Sequence, residues 1–190
     1  MGEESSQALQ DVIDFYLAIA TVRNDGVKEH SVRVATLAAK AAVKLKLDAR
    51  AAYIAGILHD VGKIALPCHL FDGHEITDEE YADVKNHVKL GFEVLKGKHL
   101  FTGLVAGFHH ALGKSGYGLT VRDFPEDLSL DTVKKILDIA ALIAICDYVD
   151  AATTRDTIVK DGAAGASLRE NLETKYPNSI LEIDTVLGLI

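Results

Sequence analysis

The sequence predicts an all-α fold, a single compact helical bundle of about seven to eight helices. Only three prolines interrupt 190 residues, alanine is abundant, and apolar residues recur at helical spacing with almost no alternating strand pattern. The length fits one domain with a sizeable core, and no linker, repeat or low-complexity stretch divides residues 1–190.

Each element has its own signal. Ser5 to Arg23 reads as a first helix with Leu9, Val12, Ile13, Tyr16 and Leu17 on one side, broken by Asn24-Asp25-Gly26. A second helix, from about Val27 to Leu45, carries Val34, Leu37, Ala38, Ala41, Ala42 and Leu45 on an apolar stripe. His30 lies four residues before Val34, on that same stripe. Asp48 suits the N-cap of a third helix ending near His59-Asp60. After a loop containing Pro67, Thr77 and Glu80 have capping-box spacing. The helix they open turns Tyr81, Val84, His87, Val88, Gly91 and Leu95 inward. A shorter helix, about Leu100 to Ala111, ends in His109-His110. Residues 112–130 form a loop with Tyr117 and Pro125, followed by a long helix from Asp131 to about Ala152. Asp147 falls four residues after Ile143, on an apolar face, and residues 153–190 read as a short closing pair of helices.

Composition narrows the function. With 20 Lys and Arg against 28 Asp and Glu, the net charge is −8 and no basic stripe exists, which argues against gripping long nucleic acid. Small phosphate esters stay open, because a metal site supplies positive charge locally. The longest apolar run, Ile139 to Cys146, is too short to span a bilayer. The acidic start lacks a basic segment followed by an apolar one, and Cys68 and Cys146 read as core residues or free thiols. A cytoplasmic protein is the expectation.

The stretch Ile57-Leu58-His59-Asp60-Val61-Gly62-Lys63 carries the chemistry. An apolar helix ends abruptly in a histidine and a carboxylate, the mixed nitrogen and oxygen donors that divalent transition metals accept. A lone histidine on an apolar face is most often a hydrogen-bonded core residue, and a His-Asp pair at a helix end is most often capping. His30, His59, Asp60, His87, His109, His110 and Asp147 together are another matter. Seven buried polar groups, each satisfied separately, are costly, and one shared metal centre satisfies them all. Seven ligands exceed one tetrahedral zinc and match two six-coordinate ions with Asp60 between them. Such pairs hydrolyse phosphate esters by acidifying a water and stabilising charge on the phosphoryl oxygens.

The order His…His-Asp…His…His-His…Asp resembles the HD superfamily of metal-dependent phosphohydrolases, and more finely its HD-GYP branch of cyclic diguanylate phosphodiesterases. The matching segments are His59 through Pro67, Thr77-Asp78-Glu79-Glu80 leading to His87-Val88-Lys89-Leu90-Gly91, His109-His110, Gly116-Tyr117-Gly118, and Asp147 through Ala151 followed by Arg155. They cover roughly residues 25 to 160. The resemblance implies that the seven residues are metal ligands, with Asp60 and Lys63 catalytic. It also implies that Lys63, Tyr117 and Arg155 contact substrate. Two departures touch the substrate loop: His-His-Glu is His109-His110-Ala111 here, and Gly-Tyr-Pro ends in Gly118.

The expectation is a phosphodiesterase acting on a small phosphate ester or cyclic dinucleotide, with a separate signalling partner left open. An HD-type nucleotidase or dinucleoside polyphosphatase and a non-catalytic metal- or nucleotide-binding module are the alternatives. The donor set points to two divalent ions, iron or manganese before magnesium, nickel or zinc. A third ion, which some HD-GYP members hold through a glutamate one turn before the first histidine, is not expected, because that position is Gly26.

Overall fold

The computed structural model describes residues 3–23, 25–71, 74–154 and 167–190. Among them are nine α-helices and no strand: α1 Glu3–Arg23, α2 Asp25–Leu45, α3 Ala49–Leu58, α4 Asp78–Val84, α5 His87–Leu95, α6 Leu100–Phe108, α7 Leu130–Thr154, α8 Leu168–Lys175 and α9 Ile180–Leu187. Short 3₁₀ turns at Val61–Ala65, Cys68–Phe71 and Val121–Asp123 join them. The all-α expectation holds.

The long α7 is the spine. Its Ile136, Ile139, Leu142, Ile143 and Ile145 are almost wholly buried against the small residues Ala38, Ala41, Ala42, Ala52 and Ala55 of α2 and α3. Alanine on those faces lets α2 and α3 approach closely, and Leu104, Val105 and Phe108 of α6 close the other side. Leu172, Ile183 and Val186 of the closing pair join the same core. Leu9, Ile13, Tyr16 and Ala20 of α1 form a second cluster with Ile57, Leu58, Val61, Leu95 and Ala106. Within it Tyr16 Oη lies 3.0 Å from Ser31 Oγ.

Caps set the helix starts. Asp48 accepts from the Ala51 amide at 3.0 Å, and Thr77 and Glu80 complete the capping box of α4. One boundary departs from the sequence reading. The chain from Thr77 to Leu95 is two helices, broken at Lys85-Asn86, so His87 opens α5 instead of sitting inside a longer helix. The break reverses nothing in the burial pattern, which is why helical periodicity does not reveal it. Asp25 opens α2, where the sequence reads as a turn. Cys146 is buried and Cys68 exposed, both free. No helix of the described residues is long and apolar enough to cross a membrane.

Candidate metal centre

Five elements deliver seven groups to a single spot: His30 from α2, His59 and Asp60 from the end of α3, His87 from the start of α5, His109 and His110 from the end of α6, and Asp147 from α7. Most of these positions are helix termini, and that has a chemical consequence. The last carbonyls of a helix lack an intrahelical donor. His59 Nδ1–H donates to Gly56 O at 2.8 Å, His87 Nδ1–H to Val84 O at 2.7 Å, and His109 Nδ1–H to Ala106 O at 2.7 Å. A carbonyl only accepts, so each Nδ1 carries the proton and each ring turns its Nε2 inward.

Those nitrogens have no hydrogen-bond partner. The Nε2 atoms of His30, His59, His87 and His109 and the Oδ1 atom of Asp60 are all buried without a hydrogen bond. Buried polar atoms are paired in the great majority of cases, and five converging orphans on imidazoles and a carboxylate, all metal-competent groups, fit a cation. Donor atoms within 4.8 Å of one another form the sets His30, His59 and Asp147; His59, Asp60 and His109; and His87, His109 and His110. Asp60 lies between them. Its Oδ2 is 3.3 Å from His59 Nε2 and 3.5 Å from His30 Nε2, while its Oδ1 is 3.3 Å from His87 Nε2. Asp147 also faces both ways, with Oδ1 3.1 Å from His30 Nε2 and Oδ2 3.8 Å from His110 Nε2.

The electrostatics suit metal binding. Burial depresses His87 to about 4 and His110 to about 3, and takes His109 well below the ordinary imidazole value, so all three are neutral at pH 7, the state a metal ligand requires. Burial alone also lowers His30, but the carboxylates of Asp147, Asp150 and Asp60 gathered around it outweigh burial and raise this ring to about 10. Burial raises Asp60, yet the charges of His59 and Lys63 and the nearby His30 hold it well below the usual carboxylate range.

These shifts set a pH dependence for the metal-free protein. Between pH 6.5 and about 4 the unfolded chain takes up protons at positions 87, 109 and 110 that the folded chain refuses, so stability falls as pH falls. For His87, depressed to about 4, the loss on going from pH 7 to pH 5 is about 2 kcal/mol. His30 acts oppositely, its contribution lost as pH rises from 6.5 through about 10. Urea denaturation of chelator-treated protein measures the acid limb, and equal stability at pH 7 and pH 5 would contradict it.

Two residues that the sequence did not single out support His30. Asp150, one turn after Asp147, lies 2.8 Å from His30 Nδ1, and Arg33 clamps Asp150 from Nε at 2.6 Å and Nη2 at 3.0 Å. A carboxylate behind a ligand histidine fixes its ring and raises its basicity. The signals were the i, i+3 spacings His30–Arg33 and Asp147–Asp150 and the place of Asp150 in the matching segment Asp147 through Ala151.

Of the remaining sequence candidates, the Lys63 ammonium pairs with Asp60 Oδ2. Tyr117 stacks on His110 at 4.8 Å between ring centroids, and its amide donates to His110 O at 3.1 Å. Arg155 lies outside the described residues. The loop beyond Tyr117 explains Gly118. That residue has φ +126°, and a Cβ there would meet Gly107 O at 2.4 Å. Proline, fixed near −65°, cannot take this path, so the loop runs a different course from a Gly-Tyr-Pro turn. Glu29, the nearest carboxylate alternative for a third ion, lies 3.8 Å from Arg33 with a side chain that is 70% exposed, so it points away from the centre.

Comparisons with known proteins identify the family. The HD domain family model matches residues 27–152. The cyclic di-GMP phosphodiesterase PA4108 of Pseudomonas aeruginosa is 31% identical over 150 residues, covering 76% of this chain and 34% of that protein. The cyclic di-GMP phosphodiesterase response regulator RpfG of Xanthomonas campestris is 31% identical over 142 residues, covering 69% of this chain and 37% of that protein. The chain thus spans about a third of the length of these relatives. Among solved structures, the HD domain of the L. monocytogenes phosphodiesterase PgpH superposes with a TM-score of 0.58 at 21% identity, covering 92% of this chain and 96% of that one. The same domain in complex with cyclic-di-AMP gives 0.57, again at 21% identity, covering 92% of this chain and 95% of that one. From its matched segment and its converging histidines and aspartates, the chain belongs to the HD domain family, the superfamily of metal-dependent phosphohydrolases that its sequence resembles.

Proposed function

We propose that this chain is a metal-dependent phosphodiesterase that cuts a dinucleotide-type phosphodiester at a two-metal centre bridged by Asp60. The observation that carries the reading is the set of five buried, partnerless donor atoms converging from separate helices. His30, His59, Asp60 and Asp147 would hold one cation, and Asp60, His87, His109 and His110 the other. Divalent cations there supply Lewis acidity toward phosphoryl oxygens and acidify water. The chain's own residues do the rest. Asp150 and Arg33 hold His30 in orientation, and the helix-end carbonyls fix the rings of His59, His87 and His109. Lys63, one side of its ammonium on Asp60, offers positive charge to a phosphate beside that carboxylate. Burial of His59, Asp60, His87 and His109 keeps bulk water away from their donor atoms.

Relatives named for cyclic di-GMP hydrolysis and a structural neighbour solved with cyclic-di-AMP support a dinucleotide substrate. The altered course at Gly118 favours a substrate other than cyclic diguanylate itself, because it reshapes the wall next to Tyr117. The test is a panel of cyclic dinucleotides, linear dinucleotides and nucleoside phosphates with protein loaded in turn with iron, manganese, magnesium, nickel or zinc. Turnover of a phosphodiester with two transition ions per chain, iron or manganese most active, is expected. Three tightly held ions, or preference for nucleoside monophosphates, would overturn the assignment, the latter in favour of a nucleotidase.

Lys63→Ala separates binding from chemistry. We expect metal content to stay at the wild-type level while kcat falls about 10²-fold, the scale of losing one charge-stabilising donor. Elemental analysis beside steady-state kinetics decides it, and loss of metal would place Lys63 in the wrong role.

A further inference from the structure

We propose that Lys85, held between Tyr81 and Tyr117, binds a second phosphate of the substrate and so selects dinucleotides over esters with one phosphate. The inference rests on the phosphodiesterase reading and names its substrate-selecting contact. Lys85 sits at the break between α4 and α5, two residues before His87. Its ammonium lies 4.5 Å from the Tyr81 ring centroid and 5.6 Å from that of Tyr117. Tyr117 in turn stacks on His110 at 4.8 Å and meets His87 edge-on at 6.4 Å. A half-buried cation therefore stands one ring away from two of the candidate metal ligands.

No ion pair joins Lys85 to a carboxylate among the described residues, in a chain whose net charge is −8. Its partners are two ring faces, an attraction of about 0.5–1 kcal/mol each at partly exposed sites. A phosphate oxygen offers a charge-assisted hydrogen bond, which is stronger, so an arriving anion outcompetes the rings for the ammonium. Lys63 serves the centre itself, through Asp60. A substrate with one phosphate engages Lys63 alone, whereas one with two engages both lysines. The tyrosine faces beside Lys85 also suit base stacking, which tolerates any base.

The competing explanation is structural, with Lys85 stapling α4 to the loop that carries Tyr117. A staple would affect every substrate alike. The test uses the metal-loaded chain with two probes, the linear dinucleotide 5′-phosphoguanylyl-guanosine and bis(p-nitrophenyl) phosphate. Lys85→Ala is expected to raise KM for the dinucleotide about tenfold with kcat nearly unchanged, and to leave KM for the one-phosphate probe alone. Lys85→Arg should restore the dinucleotide KM. Calorimetric binding of the dinucleotide should weaken by the same factor, a readout independent of turnover. Equal changes for both probes, unchanged dinucleotide affinity, failure of arginine to restore it, or no dinucleotide binding by the wild type would each overturn the proposal. Lys85-dependent binding without turnover of any diester would instead sink the phosphodiesterase reading and leave this subsite standing.

Discussion

Asp60→Ala is expected to remove both cations and lower hydrolysis by more than about 10³-fold, with helical content unchanged. The size of the effect follows from position. One Asp60 oxygen faces His59 and His30 and the other faces His87, so a single truncation takes a ligand from both halves of the centre. It also leaves Lys63 beside histidines instead of a carboxylate, which adds repulsion toward any cation. Asp60→Asn keeps the shape but not the charge, and should lose most of the metal as well. Elemental analysis, circular dichroism and turnover on the same preparation decide the matter. Wild-type activity in a metal-free Asp60→Ala protein would refute a metal-dependent mechanism.

Gly62→Ala should damage the site through the backbone. A Cβ at Gly62 would lie 2.0 Å from the His87 carbonyl oxygen and 2.6 Å from the Gly91 amide nitrogen, and neither atom can rotate aside. The turn after Asp60 must then move off the start of α5, carrying Asp60 away from His87. We expect a stability loss of about 2–4 kcal/mol and a 10- to 100-fold drop in metal affinity, roughly the cost of overpacking and of disturbing ligand orientation. Gly97→Ala is the control, because a Cβ there meets nothing within 4 Å, and it should change neither quantity. Thermal melting and metal titration of the two variants provide the comparison, and a Gly62→Ala protein that melts and binds metal like wild type would show that the contact relaxes freely.

The centre was legible in the sequence because its residues contradict their surroundings. His30, His87 and Asp147 interrupt apolar stripes, and His59-Asp60 and His109-His110 end apolar helices, so each stood out against the pattern of its own element. The structure brings all seven together. What stayed hidden has the opposite character. Asp150 and Arg33 neutralise each other, and a carboxylate–guanidinium pair read from sequence looks like any solvated helix face. The break at Lys85-Asn86 leaves the helical phase nearly intact, so no periodicity argument finds it. Gly118 was visible as a departure from Gly-Tyr-Pro, but its positive φ, which makes the departure a change of path, is a property of the folded loop.

The anchoring of ligand rings on helix-end carbonyls bears on how fast metal can come and go. Each of His59, His87 and His109 can swing out only by surrendering the carbonyl its Nδ1–H satisfies, within a spot closed by five helices. The first helix to reach the centre and the last are also tied across the chain, His30 to Asp150, 120 positions apart. A cation held there cross-links a very long loop, and its escape requires helices to part, not one side chain to rotate. Metal exchange should therefore keep pace with opening of the core, persisting for long periods in the native protein and becoming rapid once α2 or α7 comes away.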